Sequence, residues 1–254
     1  MSSLFWLENR IALVSGASRG LGFAMAEALA AHGAHVILNG RNAATLEKAA
    51  ARLKDMGYGA EALAFDVTDA AAAVDAVERI REVHGRLDIL INNAGVQHRV
   101  PLTEWQDGDF ERLLASHLTS SFRLSREAAK LMIAQKRGRI INTGSVAAIL
   151  ARPTIHGYIA AKTGLHGLTR SMAAELGPQG ITVNAIVPGY FATEMNEALL
   201  ADKDFTGWVE KRTPLGRWAQ PHELGGAAVF LASDAGSYVN GHLLVVDGGM
   251  SITL

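Results

Sequence analysis

Short runs of Val, Ile and Leu recur along the chain, each separated from the next by a longer Ala-rich stretch, and this alternation restricts the fold more than any other feature. Candidate strands fall near 11–15, 35–39, 61–65, 87–92, 139–143, 181–186 and 243–247, and candidate helices near 20–32, 42–56, 69–84, 106–135, 158–177 and 222–232. A strand with one wet face alternates apolar and polar residues. These runs are apolar almost without a break, so both faces of the sheet must be covered. The expected fold is α/β, a doubly wound parallel sheet of about seven strands with helices on both faces. No low-complexity linker or internal repeat divides the 254 residues, which suit one domain, 1–254. Ligands of such sheets lie beyond the carboxyl ends of the strands, where the strand order reverses.

Composition narrows the function. A net charge of −1 gives no electrostatic reason to expect a nucleic acid or membrane partner. With no cysteine, disulfides, thiolate catalysis and cysteine-ligated metals are excluded, and a reducing cytoplasmic setting is expected. Residues 1–10 lack the basic and apolar pattern of a leader, and no run of about 18 apolar residues follows.

The first strand ends in Ser15-Gly16-Ala17-Ser18-Arg19-Gly20-Leu21-Gly22, and Leu21, Met25, Ala28 and Leu29 then share one helix face. Glycine spacing of this kind also occurs in ordinary loops. Between a buried strand and an amphipathic helix, however, it permits close approach of a pyrophosphate to a helix N-terminus, the arrangement of a dinucleotide site. The second strand ends in Leu38-Asn39-Gly40-Arg41, without the acid that a loop specialised for the 2′-hydroxyl of NAD carries. Arg41 and Arg19 can instead hold the 2′-phosphate of NADP through charge-assisted hydrogen bonds of about 1.5–3 kcal/mol each. The bland reading of Arg41 is a solvated first-turn arginine.

Tyr158 and Lys162 stand one helical turn apart, and Ser145 ends the apolar run 139–144 upstream. An ammonium about 5 Å from a phenol favours the phenolate by roughly 3 kcal/mol at an effective dielectric near 20. The phenol is then expected to titrate near ~7–8, fit to exchange a proton with an alcohol or ketone whose oxygen Ser145 holds. Alone, the Tyr-x-x-x-Lys spacing is also that of an ordinary helix with a surface lysine.

Together with Asp66-Val67, Asn92-Asn93-Ala94-Gly95 and Pro188-Gly189, these motifs fall at strand ends in an order that resembles the short-chain dehydrogenase/reductase family over essentially the whole chain. The resemblance implies a Rossmann-fold oxidoreductase, without a catalytic metal and assembled as a dimer or homotetramer. It also implies roles. Gly16, Ser18, Arg19, Leu21 and Gly22 would frame the phosphates, Asn39 and Arg41 the adenosine ribose, and Asp66 and Val67 the adenine. Asn92, Ala94 and Gly95 would pass beneath the ribose and nicotinamide side. Pro188, Gly189 and Thr193 would position the carboxamide, and Lys162 would bond the nicotinamide ribose beside Tyr158. Strand-end caps and turns are the bland alternatives for Asp66, for 92–95 and for Thr193.

The family's asparagine before the catalytic serine is replaced by His117 in Leu113-Leu114-Ala115-Ser116-His117-Leu118-Thr119. In the family this residue helps to bend its helix and uses its backbone carbonyl to hold a water in a proton relay. The carbonyl survives substitution, so the relay is expected to persist. A packed helix histidine accounts equally well for the side chain.

Within the family, the stretches 38–42, 188–195 and 211–218 are similar to members acting on sugar acids. Such a substrate asks for a cation to meet its carboxylate, and Arg99 and Arg152 are the candidates; a surface arginine is the plain alternative for each. His156 lies in the same region, 190–215 is the expected lid, and Trp208 is expected to pack rather than bind. The expected reaction is NADP-dependent hydride transfer at a secondary alcohol or ketone. A 3-oxoacyl-carrier-protein reductase, with Arg126 and Arg170 facing an acidic carrier, and a non-catalytic cofactor-sensing protein are the rivals. The apolar tail 248–254 is expected to reach a neighbouring subunit.

Overall fold

The computed structural model describes residues 4–253; of the segments considered above, residues 1–3 and Leu254 lie outside the described residues. Seven strands form one sheet: β1 (Ile11–Val14), β2 (His35–Gly40), β3 (Ala60–Ala64), β4 (Ile89–Asn92), β5 (Gly138–Thr143), β6 (Ile181–Pro188) and β7 (Leu243–Val246). Their order is β3-β2-β1-β4-β5-β6-β7, and every pairing is parallel. The order reverses between β1 and β4.

The unbroken apolar runs have a direct cause. Ala12 and Val14 of β1, Val36 and Leu38 of β2, and Ile89 and Ile91 of β4 pack into the core on one face. The intervening Leu13, Ile37 and Leu90 pack into the core on the other. Successive strand residues point to opposite faces, so two covered faces require two sets of apolar residues in one strand.

The helices are α1 (Gly20–Ala31), α2 (Ala43–Asp55), α3 (Ala70–His84), α4 (Asp107–Leu114), α5 (Ser120–Gln135), α6 (Ala147–Leu150), α7 (His156–Leu176), α8 (Glu197–Ala201), α9 (Lys203–Arg212) and α10 (Gly225–Ala232). Local chemistry sets several ends. The Asn42 carboxamide oxygen accepts from the Thr45 N–H at 2.9 Å, the Asp69 carboxylate accepts from the Ala71 and Ala72 N–H groups at 2.9 and 3.1 Å, and Gly85, at φ 71°, stops α3 in the left-handed conformation.

The single helix expected at 106–135 is instead α4 and α5 joined by a π-helical turn, Ala115–Thr119. Ser120 and Ser121 donate their hydroxyls to the carbonyls of Ser116 and His117, at 2.6 and 2.9 Å, which stabilises the widened turn. The expected helix at 222–232 begins as a 3₁₀ turn, Pro221–Leu224. The expected lid holds α8 and α9, the latter capped by Asp202, whose carboxylate accepts from the Asp204 and Phe205 N–H groups at 3.0 Å each. Among the described residues no helix is long and apolar enough to cross a membrane.

Candidate active site

A cavity of about 610 Å³ opens at the carboxyl ends of β1 and β4, at the reversal of strand order. Its walls include Gly16, Ser18, Arg19, Leu21 and Gly22 from the first loop, Asn39 and Arg41 from the end of β2, and Asp66 and Val67 after β3. Ala94, Gly95, His117, Ser145, Tyr158, Lys162, Pro188, Gly189 and Thr193 complete the set expected from the sequence. Asn92, Arg99 and Arg152 are not part of this wall.

Two observations fit the phosphates of a dinucleotide. α1 begins after Arg19 with no side-chain acceptor on its first turn, so its leading N–H groups remain available to an anion. Gly16 has φ 64°, and a Cβ there would stand 2.8 Å from Ala94 Cα, so a side chain would close the cradle. The adjoining Asn93 locks the two strand ends together, donating from Nδ2 to the Ser15 and Gly16 carbonyls at 3.0 and 3.2 Å. Ser15 Oγ accepts from the N–H groups of Asn93 and Ala94 at 2.9 and 3.0 Å. Asn92 is turned the other way, into the core, where Nδ2 bonds Asn142 Oδ1 and Ser125 Oγ at 2.9 Å each. Its side chain therefore braces the sheet, and Asn93 takes the place at the cleft.

Both arginines meant for a 2′-phosphate stand at the rim and carry acidic partners. Arg19 Nη1 lies 2.6 Å from Glu194, and Arg41 Nη1 lies 4.0 Å from Asp66. Burial works to raise the Asp66 pKa, but bonds from the Thr68 N–H and hydroxyl, at 2.8 and 2.7 Å, together with the Arg41 charge, leave it below the usual carboxylate range.

At the other end, Ser145 and Tyr158 share the cavity wall, near enough for the hydroxyl to favour the phenolate, and the Tyr158 ring centroid lies 5.7 Å from Lys162 Nζ. The phenol value expected from helical spacing is not what the environment produces. Burial pushes the Tyr158 pKa up, and the Ser145 hydroxyl and the Arg99 charge offset this only in part. Lys162 is buried, its amine is brought down to about 7, and it donates to the Thr143 carbonyl at 2.6 Å. Desolvation is the largest influence on both groups, and it opposes the phenolate that spacing alone suggests.

His117 is 3% exposed, and its Nε2 lies 2.7 Å from the Val96 carbonyl. Its ring meets Tyr158 edge-on at 5.1 Å and occupies the space that a Cβ on Gly95 would need. Burial, then the Lys162 charge, lower its pKa to about 3. The imidazole is thus neutral packing between loop and helix, while its backbone carbonyl accepts from Ser121. His166, lowered to about 4 by burial and the Lys162 and Arg170 charges, is likewise neutral. Both titrate normally once unfolded, so the unfolded chain binds more protons than the folded one below about pH 6.5. Stability is expected to fall as pH drops from 6.5 towards 3, by on the order of 4 kcal/mol for His117 once the interval is traversed. Urea unfolding midpoints across this range should show a shallower loss in His117→Asn; an identical slope in both proteins would contradict this account.

Arg99 and Arg152 extend the site beyond the cavity. The Val100 N–H donates to the Thr154 carbonyl at 3.1 Å and ties the two loops together. Burial, then the Arg152 charge, lower the Arg99 pKa, and Tyr158 and Tyr190 oppose the shift. Arg152 lies 4.3 Å over the Phe205 ring, and its charge is felt by the Tyr190 hydroxyl, whose pKa burial pushes up. Left-handed backbone at Ala151 and Thr154, φ 66° and 72°, flanks it. Tyr190, which sequence reasoning did not single out, connects this pair to the lid, where it meets Phe205, Trp208 and Trp218 at 5.5, 6.1 and 5.3 Å. Trp208 packs there, as expected.

This is the framework of a nicotinamide-dependent oxidoreductase. A family model described as "Enoyl-(Acyl carrier protein) reductase" matches residues 16–251. The gluconate 5-dehydrogenase of Gluconobacter oxydans (strain 621H) is 48% identical over 99% of this chain and 98% of its own length. The 5-keto-D-gluconate 5-reductase of Escherichia coli (strain K12) is 43% identical over 100% of both chains. A crystal structure of a gluconate 5-dehydrogenase from Burkholderia cenocepacia J2315, in complex with NADP and tartrate, superposes with a TM-score of 0.96 at 43% identity, covering 99% of this chain and 98% of that one. The chain belongs to the short-chain dehydrogenase/reductase family.

Proposed function

We propose that this protein interconverts gluconate and 5-ketogluconate with NADP. The observation that carries the reading is the placing of Arg99 near Tyr158, with Arg152 beside Arg99 and over the Phe205 ring: a hydroxy or keto acid can set its carboxylate against this pair of guanidiniums while its reacting oxygen meets Ser145 and Tyr158. Full-length relatives named for this pair of compounds support the substrate, and the NADP complex of one neighbour supports the cofactor.

The cofactor, when bound, supplies the acceptor or donor of the hydride. In oxidation the C5 hydroxyl proton passes to Tyr158 as the hydride leaves the same carbon, and reduction returns that proton from the phenol. Ser145 hydrogen-bonds the reacting oxygen. Lys162 holds the ribose, and His117 keeps the 95–96 loop and the Tyr158 ring in place. The assignment extends to a homotetramer in the cytoplasm, supported by the family and by the 84% exposed Ile252 in the apolar tail; light scattering that showed only monomer would remove the assembly.

The expected result is fast NADPH consumption with 5-ketogluconate, slow consumption with NADH, and little with an acetoacetyl thioester. Arg99→Ala should raise KM for the keto acid by about 10- to 100-fold through loss of a charge-assisted contact. Preference for the thioester would move the protein to 3-oxoacyl-carrier-protein reduction.

A further inference from the structure

At the end of the sheet away from the cavity, three side chains from three elements converge. His35 opens β2, Glu61 is the second residue of β3, and His84 closes α3. One ring nitrogen of each histidine and a Glu61 carboxylate oxygen all lie within 4.8 Å of one another. We propose that His35, Glu61 and His84 form a binding site for a divalent ion of the zinc class.

The geometry is close to what such an ion needs. Donors placed 2.0–2.1 Å from a tetrahedral ion stand about 3.3 Å apart. Here Glu61 Oε1 lies 2.7 Å from His84 Nε2 and 3.9 Å from His35 Nε2, so modest side-chain rotations equalise the two separations. His35 Nε2 is buried without a hydrogen-bond partner, an uncompensated cost unless something else occupies that direction. The ring is held from its other side, since a Cβ on Gly59 would come within 2.9 Å of His35 Nδ1.

Two imidazoles with one carboxylate favour zinc, nickel, cobalt or copper over magnesium or calcium, which prefer oxygen. Glu61 neutralises one charge of the ion, while Lys54, whose charge His35 feels, opposes it. Three protein ligands leave a position for water. Bound there, the ion would clamp the edge strand β3 and the end of α3 to β2. His35 and Asn39 lie at opposite ends of β2, about 13 Å apart at strand rise, so the clamp acts on stability and not on turnover.

Untagged protein, stripped with EDTA and dialysed, should bind one zinc ion in calorimetry and gain melting temperature with zinc concentration. His84→Asn and Glu61→Gln should each weaken binding by about tenfold or more while keeping NADPH turnover, which certifies their folding. The double variant His35→Asn/His84→Asn should lose the melting shift. Absence of heat up to about 1 mM zinc in the native protein, or unchanged affinity in the double variant, would overturn the site.

Discussion

Tyr158→Phe should lower turnover of 5-ketogluconate by about 100- to 10,000-fold while NADPH affinity stays within about threefold. The change removes one oxygen and little else. The ring still fills its place, edge-on to His117 at 5.1 Å, so the packing that positions the 95–96 loop survives. What is lost is the proton carrier and its interaction with Ser145. Because burial raises the phenol pKa, its O–H is intact at neutral pH and ready for reduction, whereas oxidation requires the scarce phenolate. Oxidation by the native enzyme should therefore climb with pH through the alkaline range while reduction stays nearly level. Steady-state rates in both directions, with NADPH binding read by fluorescence, check the claim; a Phe variant retaining a tenth of native turnover would remove Tyr158 from the chemistry.

The scaffold was legible in the sequence because each strand declares both faces at once: Leu13 between Ala12 and Val14 speaks for one core, its neighbours for the other. The glycine loop was legible because its function is carried by backbone. Less accessible was anything that depends on one residue of phase. A π-turn at Ala115–Thr119 inserts one residue into a helix whose apolar spacing otherwise runs on, and only the serines at 116, 120 and 121 hint at it. Of the two adjacent asparagines, sequence favoured Asn92, but the end of β4 turns that side chain to Asn142 and leaves Asn93 to brace the glycine loop. The phenol pKa failed for a different reason. A pair spacing suggests a Coulomb attraction, whereas desolvation is a property of the whole surrounding fold, and here burial is the largest influence on both groups. Asp202 at the start of α9 was a readable capping signal that the lid assignment passed over.

Arg41→Ala should weaken NADPH by about 10- to 150-fold and leave NADH within about threefold, which converts a strong preference for the phosphorylated cofactor into a slight one. The selectivity rests on exchange, not on an idle cation. Arg41 stands 4.0 Å from Asp66, and Arg19 stands 2.6 Å from Glu194, both pairs at the exposed rim where an ion pair contributes little. A 2′-phosphate brings up to two negative charges and several acceptor oxygens to the same guanidiniums, so it can displace a carboxylate at small cost. An unphosphorylated ribose offers neither and leaves the acidic pairs as they are. Glu194→Gln should then tighten NADPH slightly by freeing Arg19, and the double variant Arg19→Ala/Arg41→Ala should lose more than about 100-fold. Cofactor titrations at two salt concentrations distinguish this from simple rim electrostatics, because a bidentate phosphate contact persists in salt that screens exposed pairs. If Arg41→Ala altered NADPH and NADH affinity equally, Arg41 would be a solvated helix-entry residue, and discrimination would have to lie with Arg19 and the backbone of the glycine loop.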